Sequence, residues 1–250
     1  MRVYPVNAMD AAKLSSLQTA LYNKLEDIYN RYIEYQIDFL SDSIEITGAW
    51  DTEIPFDAFI IGNTNAVSGK LAFYKGQIKI DEKNITLNEH INIITNKDKM
   101  GKIKIINIDR FILTLQGTSN VKVGYLFIGR TWTLPRFTTA PKNNLQLRND
   151  SGRTFSGQVT GIPQDVLRSF SCNFIRIENK DIKLIDEYIN GVQAVIPHVI
   201  DPYYEAHEEF APLFATISSL GEKEKRSEKD KRTARPVCAC CCVVKYGENQ

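Results

Sequence analysis

The chain has 250 residues, 43% of them hydrophobic and 24% charged, with a formal charge of +1. Those proportions belong to a globular protein with one large core or two small ones, and they exclude a disordered polymer. Near-neutrality excludes a global field for nucleic acid, and no apolar run reaches the roughly 20 residues of a membrane-spanning helix.

In chain order, Leu14, Leu17, Leu21, Leu25, Ile28 and Tyr32 recur at steps of three and four, with Asp10 as a cap. That spacing predicts an N-terminal helical segment within residues 1–32. The period then becomes two: Ile33, Tyr35, Ile37 and Phe39 alternate with polar residues, the pattern of a half-buried strand. Short strands are expected at 43–47, 56–61, 70–74, 77–80, 90–95, 102–108, 111–115 and 121–128. Turn signals separate them, among them Gly62-Asn63-Thr64-Asn65, Lys75-Gly76 and Asn96-Lys97-Asp98-Lys99. Close spacing without intervening helices argues for an antiparallel sandwich or barrel over 33–130.

Residues 131–142, with Pro135 and Pro141, read as a connector. A smaller α+β domain follows over 143–220. A strand over Arg168–Ile177 leads into a helix from Asn179, its face formed by Ile182, Ile185, Tyr188 and Ile189. An extended run over Val192–Pro197, a turn at Asp201-Pro202 and a strand over Leu213–Ile217 complete that unit. The turn signal Asn149-Asp150-Ser151-Gly152 separates Leu145–Leu147 from Phe155–Val159 as a hairpin. Residues 221–250 form a tail of mixed charge ending in Cys238, Cys240, Cys241 and Cys242, read as disordered or as a solvated helix.

Chemistry-bearing residues are sparse. The histidines are His90, His198 and His207, and the metal-binding spacing His-x-x-x-His is absent. His198, Asp201, Glu205 and His207 are close in sequence, but a proline-containing turn separates them, so no metal is expected there. No phosphate loop and no Gly-x-Ser-x-Gly elbow occurs. Acidic residues such as Asp181, Asp186, Glu187, Glu205 and Glu208 are explained by solvated faces rather than a hydrolytic pair. Cys172 alternates with Phe170 and Phe174 as a small core residue. The cysteine cluster near the C-terminus suits a soft metal, acylation or cross-linking, but completes no zinc pattern. The reading is a non-enzymatic protein without cofactor, catalytic residue or metal. Trp50 and Asp51, before Pro55, are candidate glycan contacts on a sandwich loop, although a buried tryptophan at the sandwich edge competes with that role.

The segments Tyr35-Gln-Ile-Asp-Phe39, Phe56-Asp-Ala-Phe-Ile-Ile-Gly-Asn-Thr-Asn65 and Val123-Gly-Tyr-Leu-Phe-Ile-Gly129 resemble the galactose-binding-like (discoidin-type) jelly roll of bacteriophage tail proteins. Thr133-Leu-Pro-Arg136 and the unit from Arg168 to Thr216 are similar to tail and baseplate structural domains. The resemblance implies a virion structural protein of a phage-like tail or baseplate, made in the bacterial cytoplasm. It would assemble with copies of itself and with neighbouring tail or fibre proteins. The alternative is a carbohydrate-binding module that recognises a cell-surface glycan through the sandwich loops; a sugar-cleaving domain is a third. No nucleic-acid partner and no membrane span are expected.

Overall fold

The computed structural model describes residues 1–21, 24–29, 36–134, 142–153, 159–173, 179–192, 196, 198–201, 212–220 and 239–245. The protein is mainly β. Its strands are β1 (Arg2–Tyr4), β2 (Lys13–Ser16), β3 (Ile37–Asp38), β4 (Ser43–Phe56), β5 (Ala58–Thr64), β6 (Ala66–Lys75), β7 (Ile78–Thr86), β8 (Ile91–Thr95), β9 (Ile106–Gly117), β10 (Lys122–Gly129) and β11 (Trp132–Thr133). Then come β12 (Lys142–Arg153), β13 (Val159–Asn173), helix α1 (Asn179–Val192), β14 (His198–Asp201), β15 (Leu213–Leu220) and β16 (Ala239–Lys245). The chain divides into two compact units, Val6–Trp132 and Met1–Pro5 with Thr133–Gln250.

The first of these is an antiparallel sandwich. One sheet has the order β3-β10-β5-β8 and the other β2-β4-β9-β6-β7. From β3 to β10 the chain passes back and forth between the two sheets, with only the β6–β7 hairpin staying in one, as in a jelly roll. Alternation explains the core. Ile44, Ile46 and Trp50 on β4 and Phe111, Leu113 and Leu115 on β9 are buried, while their neighbours face outward. Rings interlock at its centre, with centroids 5.9 Å apart for Trp50–Phe111, 5.2 Å for Phe59–Phe111 and 4.6 Å for Phe56–Phe73. Edge strands β7 and β8, one from each sheet, are tied by one side chain. Lys83 Nζ on β7 donates to the Thr95 carbonyl of β8 at 2.9 Å and to Asn96 Oδ1 at 2.7 Å.

The expected N-terminal helix is absent from the described residues. Asn7, not Asp10, caps a 3-10 turn over Ala8–Ala11, its side chain accepting from Met9 N. Lys13–Ser16 is a strand whose register pairs Leu14 with Gly48. A second 3-10 turn covers Leu25–Tyr29 and buries Ile28. The leucine spacing misled because Leu17 is 79% and Leu21 38% exposed. The edge of β4 needed a hydrogen-bonding partner, and satisfying it outweighs a weak helical preference. Part of the strand read at 33–39 lies outside the described residues; Ile37–Asp38 is β3.

The second unit holds a sheet ordered β11-β1-β14-β15-β16-β13-β12. Here β1 pairs with β14, Arg2 facing Asp201 and Tyr4 facing Val199. Helix α1 starts at Asn179 as its sequence predicts and buries Ile185 and Tyr188. The residues expected to turn at 149–152 are strand instead: β12 runs through to Arg153 and pairs Asn149 with Pro163 after an irregularity at Leu147/Asn149. Asp201, read as a turn, closes β14. The cysteine-rich tail is corrected in part. Backbone from Ala239 to Lys245 is a strand between β13 and β15, with Cys240 opposite Cys172 and Cys242 opposite Ile217. A short β-branched and thiol run can fill that slot and pair both neighbouring edges. Residues 221–238, with Cys238, lie outside the described residues.

Candidate functional site

Strand register defines two ends of the sandwich. In β5 and β8, Ala58 faces Thr95 at one end and Gly62 faces Ile91 at the other. The Gly62 end gathers the polar loops. Asn63 has a left-handed backbone, φ 50°, a conformation asparagine tolerates better than most residues. Two bonds from Gln36 Nε2 hold it there, 3.2 Å to the Asn63 carbonyl and 2.9 Å to its Oδ1. Its own N–H donates to the His90 carbonyl at 3.0 Å.

The loop carrying His90 is fixed by asparagines. His90 N donates to Asn88 Oδ1 and Asn88 N to Asn92 Oδ1, each at 2.9 Å. Asn92 Nδ2 donates back to the Asn88 carbonyl at 2.9 Å, and Asn92 is itself buried. On the other side, Asn65 Oδ1 accepts from Lys122 N at 2.7 Å while its Nδ2 donates to the Asn120 carbonyl at 2.8 Å. Lys122 lies 3.3 Å from Asp38. Asn88, Glu89, His90, Ser119 and Asn120 are exposed. The result is a rim of amide, imidazole and hydroxyl groups on loops whose backbone positions are set by side-chain hydrogen bonds.

The residues singled out in the sequence fall elsewhere. Trp50 is 7% exposed, and its Nε1 donates to the Ala8 carbonyl at 2.8 Å. With its ring packed on Phe111 it offers no open face to a sugar. Asp51 is exposed and paired with Lys13 at 2.5 Å. His198 is buried in β14. Its Nδ1 lies 2.9 Å from the Ile196 carbonyl, which can only accept, so Nδ1 carries the proton and Nε2 accepts from Tyr188 Oη at 2.5 Å. Burial pushes the imidazole down to about 4. Glu205, His207 and Glu208 lie outside the described residues. Among the described residues no group of three or more His, Cys, Asp or Glu could hold a metal ion, and no helix is long and apolar enough to cross a membrane. Gln36, Asn88 and Asn92 were missed in the sequence; the turn signals Gly62-Asn63-Thr64-Asn65 and Gln116-Gly117-Thr118-Ser119-Asn120 were the pointers to this rim.

No protein-family model matches the sequence, and no curated protein does. Solved structures do match. A Ruminococcus gnavus GH29 fucosidase in complex with fucose aligns at 11% identity with a TM-score of 0.43, over 52% of this chain and 28% of that one. A family 32 carbohydrate-binding module from C. perfringens in complex with galactose aligns at 11% identity and 0.41, over 53% of this chain and 100% of that one. The lectin domain of lectinolysin, complexed with Lewis B antigen, aligns at 7% identity and 0.42, over 51% and 99%. The chain thus spans under a third of the fucosidases it matches and the whole of the small modules.

Proposed function

We infer that the sandwich unit is a non-catalytic carbohydrate-binding module whose ligand sits on the Asn63 rim. The observation that carries this reading is the strained Asn63 backbone, locked by Gln36 and coupled through its N–H to the exposed His90 loop. Backbone held away from its ordinary conformation by dedicated side-chain bonds is a feature of ligand clamps. Amide side chains and imidazole both donate and accept, which suits a polyhydroxylated ligand. Loops already ordered before binding spare the entropy of ordering them. Among the described residues the exposed large apolar side chains include no aromatic ring, so binding rests on hydrogen bonds and is weak, with a Kd of about 1 mM.

The test is amide-resolved NMR of the full chain titrated with simple sugars. Galactose, fucose and the Lewis B oligosaccharide, the ligands named for the neighbours above, come first. Shifts confined to Asn63, Asn65, Asn88 and His90, weakened by His90→Ala, are expected. Absence of any shift at about 20 mM sugar, well above the Kd proposed, overturns the reading.

Assembly into a phage-like tail is the second reading. It draws on the free edge strand β7, where Ile78 is 72% and Ile80 41% exposed. Apolar side chains on an open edge invite strand pairing between copies. Light scattering behind size exclusion separates the two: a closed multimer that Ile78→Lys reduces to monomer favours assembly, and a monomer favours the module.

A further inference from the structure

At the opposite end of the sandwich from the Asn63 rim, β8 and β9 are joined by Asn96-Lys-Asp-Lys-Met-Gly-Lys-Ile-Lys-Ile105. Asp98 N donates to the Lys102 carbonyl at 2.8 Å, and Gly101, at φ 78°, donates to the Asp98 carbonyl at 3.0 Å. Asp98 Oδ1 accepts from both Met100 N and Lys102 N at 2.8 Å. The base is fixed as well: Lys104 N donates to the Asn96 carbonyl and Asn96 N to the Asp57 carbonyl. This is a rigid projection rather than a slack loop. Its single carboxylate is engaged by backbone N–H groups.

What that projection displays is unusual for a surface turn. Met100 at its tip is 81% exposed and Ile105 is 45% exposed. Around them Lys97, Lys99, Lys102 and Lys104 are all exposed, and none of the four is ion-paired among the described residues. All the cations are lysines. A pocket built to grip one phosphate or carboxylate uses the planar fork of arginine, whereas flexible ammonium groups suit a diffuse negative field. An apolar tip adds nothing to binding a hydrophilic polyanion. It does add affinity where a fluid apolar layer lies beneath the charged one.

We propose that the β8–β9 projection docks on an anionic lipid surface, with Met100 entering the headgroup boundary and the four lysines lying over lipid phosphates. Each lysine contributes about fivefold in affinity near such a surface. The glycan rim at the other end is left free, so either reading stands without the other.

The experiment is co-sedimentation of the full chain with vesicles in about 0.1 M salt, where charges act over about 10 Å. Pure phosphatidylcholine is compared with phosphatidylcholine carrying about 30% phosphatidylserine. Binding to the anionic vesicles alone is expected, lost in about 0.5 M salt. Lys99→Glu with Lys102→Glu should weaken it about 25-fold or more, and Met100→Asp should weaken it with the lysines intact. Met100→Trp should show blue-shifted emission on anionic vesicles. These side chains are exposed, so unchanged thermal melts serve as the folding control. Failure to bind anionic vesicles at low salt overturns the proposal. So does binding that Met100→Asp leaves unchanged, or retention on a sulfated polysaccharide column by a protein that ignores vesicles.

Discussion

The side chain of Asn7 stands in for a missing strand beside Ile128. Its Oδ1 accepts from Ile128 N at 3.1 Å and its Nδ2 donates to the Leu126 carbonyl at 3.0 Å. The amide thereby copies the paired bonds of a backbone neighbour along β10, whose own partner β3 reaches only Lys122 and Val123. The same Oδ1 caps the 3-10 turn at Met9 N. Asn7→Ala should therefore lower sandwich stability by about 2 kcal/mol, read by urea denaturation. Asn7→Asp keeps the acceptor but sets a carboxylate against the Leu126 carbonyl, so it should be no better at neutral pH.

Gly48 and Phe111 face each other across β4 and β9. A Cβ on Gly48 would lie 2.1 Å from Phe111 Cε1 and 2.7 Å from its Cζ. The phenyl ring covers the glycine and fills the place a side chain would take. That ring is held in turn by Trp50 and Phe59, so it has nowhere to move. Gly48→Ala should cost about 3 kcal/mol by overpacking, seen as a fall in the denaturation midpoint. Restoring room with Phe111→Leu in the same chain should recover part of it.

His198 sets a pH dependence on the unit that contains α1. Its imidazole is neutral in the fold and held at about 4, against 6.5 for the free side chain. The unfolded chain therefore takes up more protons between those values, and stability rises with pH across the window. The contribution is complete above pH 6.5 and fades as pH falls toward 4, by about 3 kcal/mol in all. Thermal melts from pH 7.5 to 4.5 should show this, and His198→Gln should flatten the slope. Tyr188→Phe leaves Nε2 buried without its donor and should cost about 1–3 kcal/mol at neutral pH.

Trp50 should behave as a core residue and not as a sugar contact. In a Trp132→Phe background, its emission should be blue and unchanged by any sugar that shifts the Asn63 rim. Trp50→Phe loses the bond to the Ala8 carbonyl and some ring contact with Phe111. A cost of about 1–2 kcal/mol is expected, with glycan affinity unaltered.

The sandwich was legible wherever burial imposes a period of two, as on Ile44, Ile46, Phe111, Leu113 and Leu115. Boundaries failed where a tertiary contact rescued a residue that ordinarily ends a strand. Phe111 covers Gly48, so β4 continues from Thr47 to Phe56, past an irregularity between Ala49 and Ile54, with Pro55 paired to Asn107. Lys102–Ile108 and Phe111–Leu115 were read as separate strands. In the structure the loop claims the first half and Asp109 and Arg110 stay in β9, where Arg110 lies over the Tyr74 ring at 4.4 Å. The Asn63 rim was only half legible. A turn signal marks Asn63, but Gln36 and His90 reach it from segments far apart in sequence, and no local pattern records such a meeting.

Because β1 belongs to the same sheet as β14, the sandwich interrupts a unit whose two halves are far apart along the chain. Gly129 packs so closely on the Val6 carbonyl, 2.5 Å from where its Cβ would stand, that the sandwich begins and ends at one point. Once folded, it acts as a staple that removes the whole Val6–Trp132 span from the slack joining Arg2 to Asp201. Loop closure then involves a shorter effective chain. Synthesis from the N-terminus favours the same order, sandwich first and β1–β14 pairing afterwards. Damage to the Asn7 or Gly48 contacts should then surface as slow, incomplete assembly of the other unit, which contains neither residue.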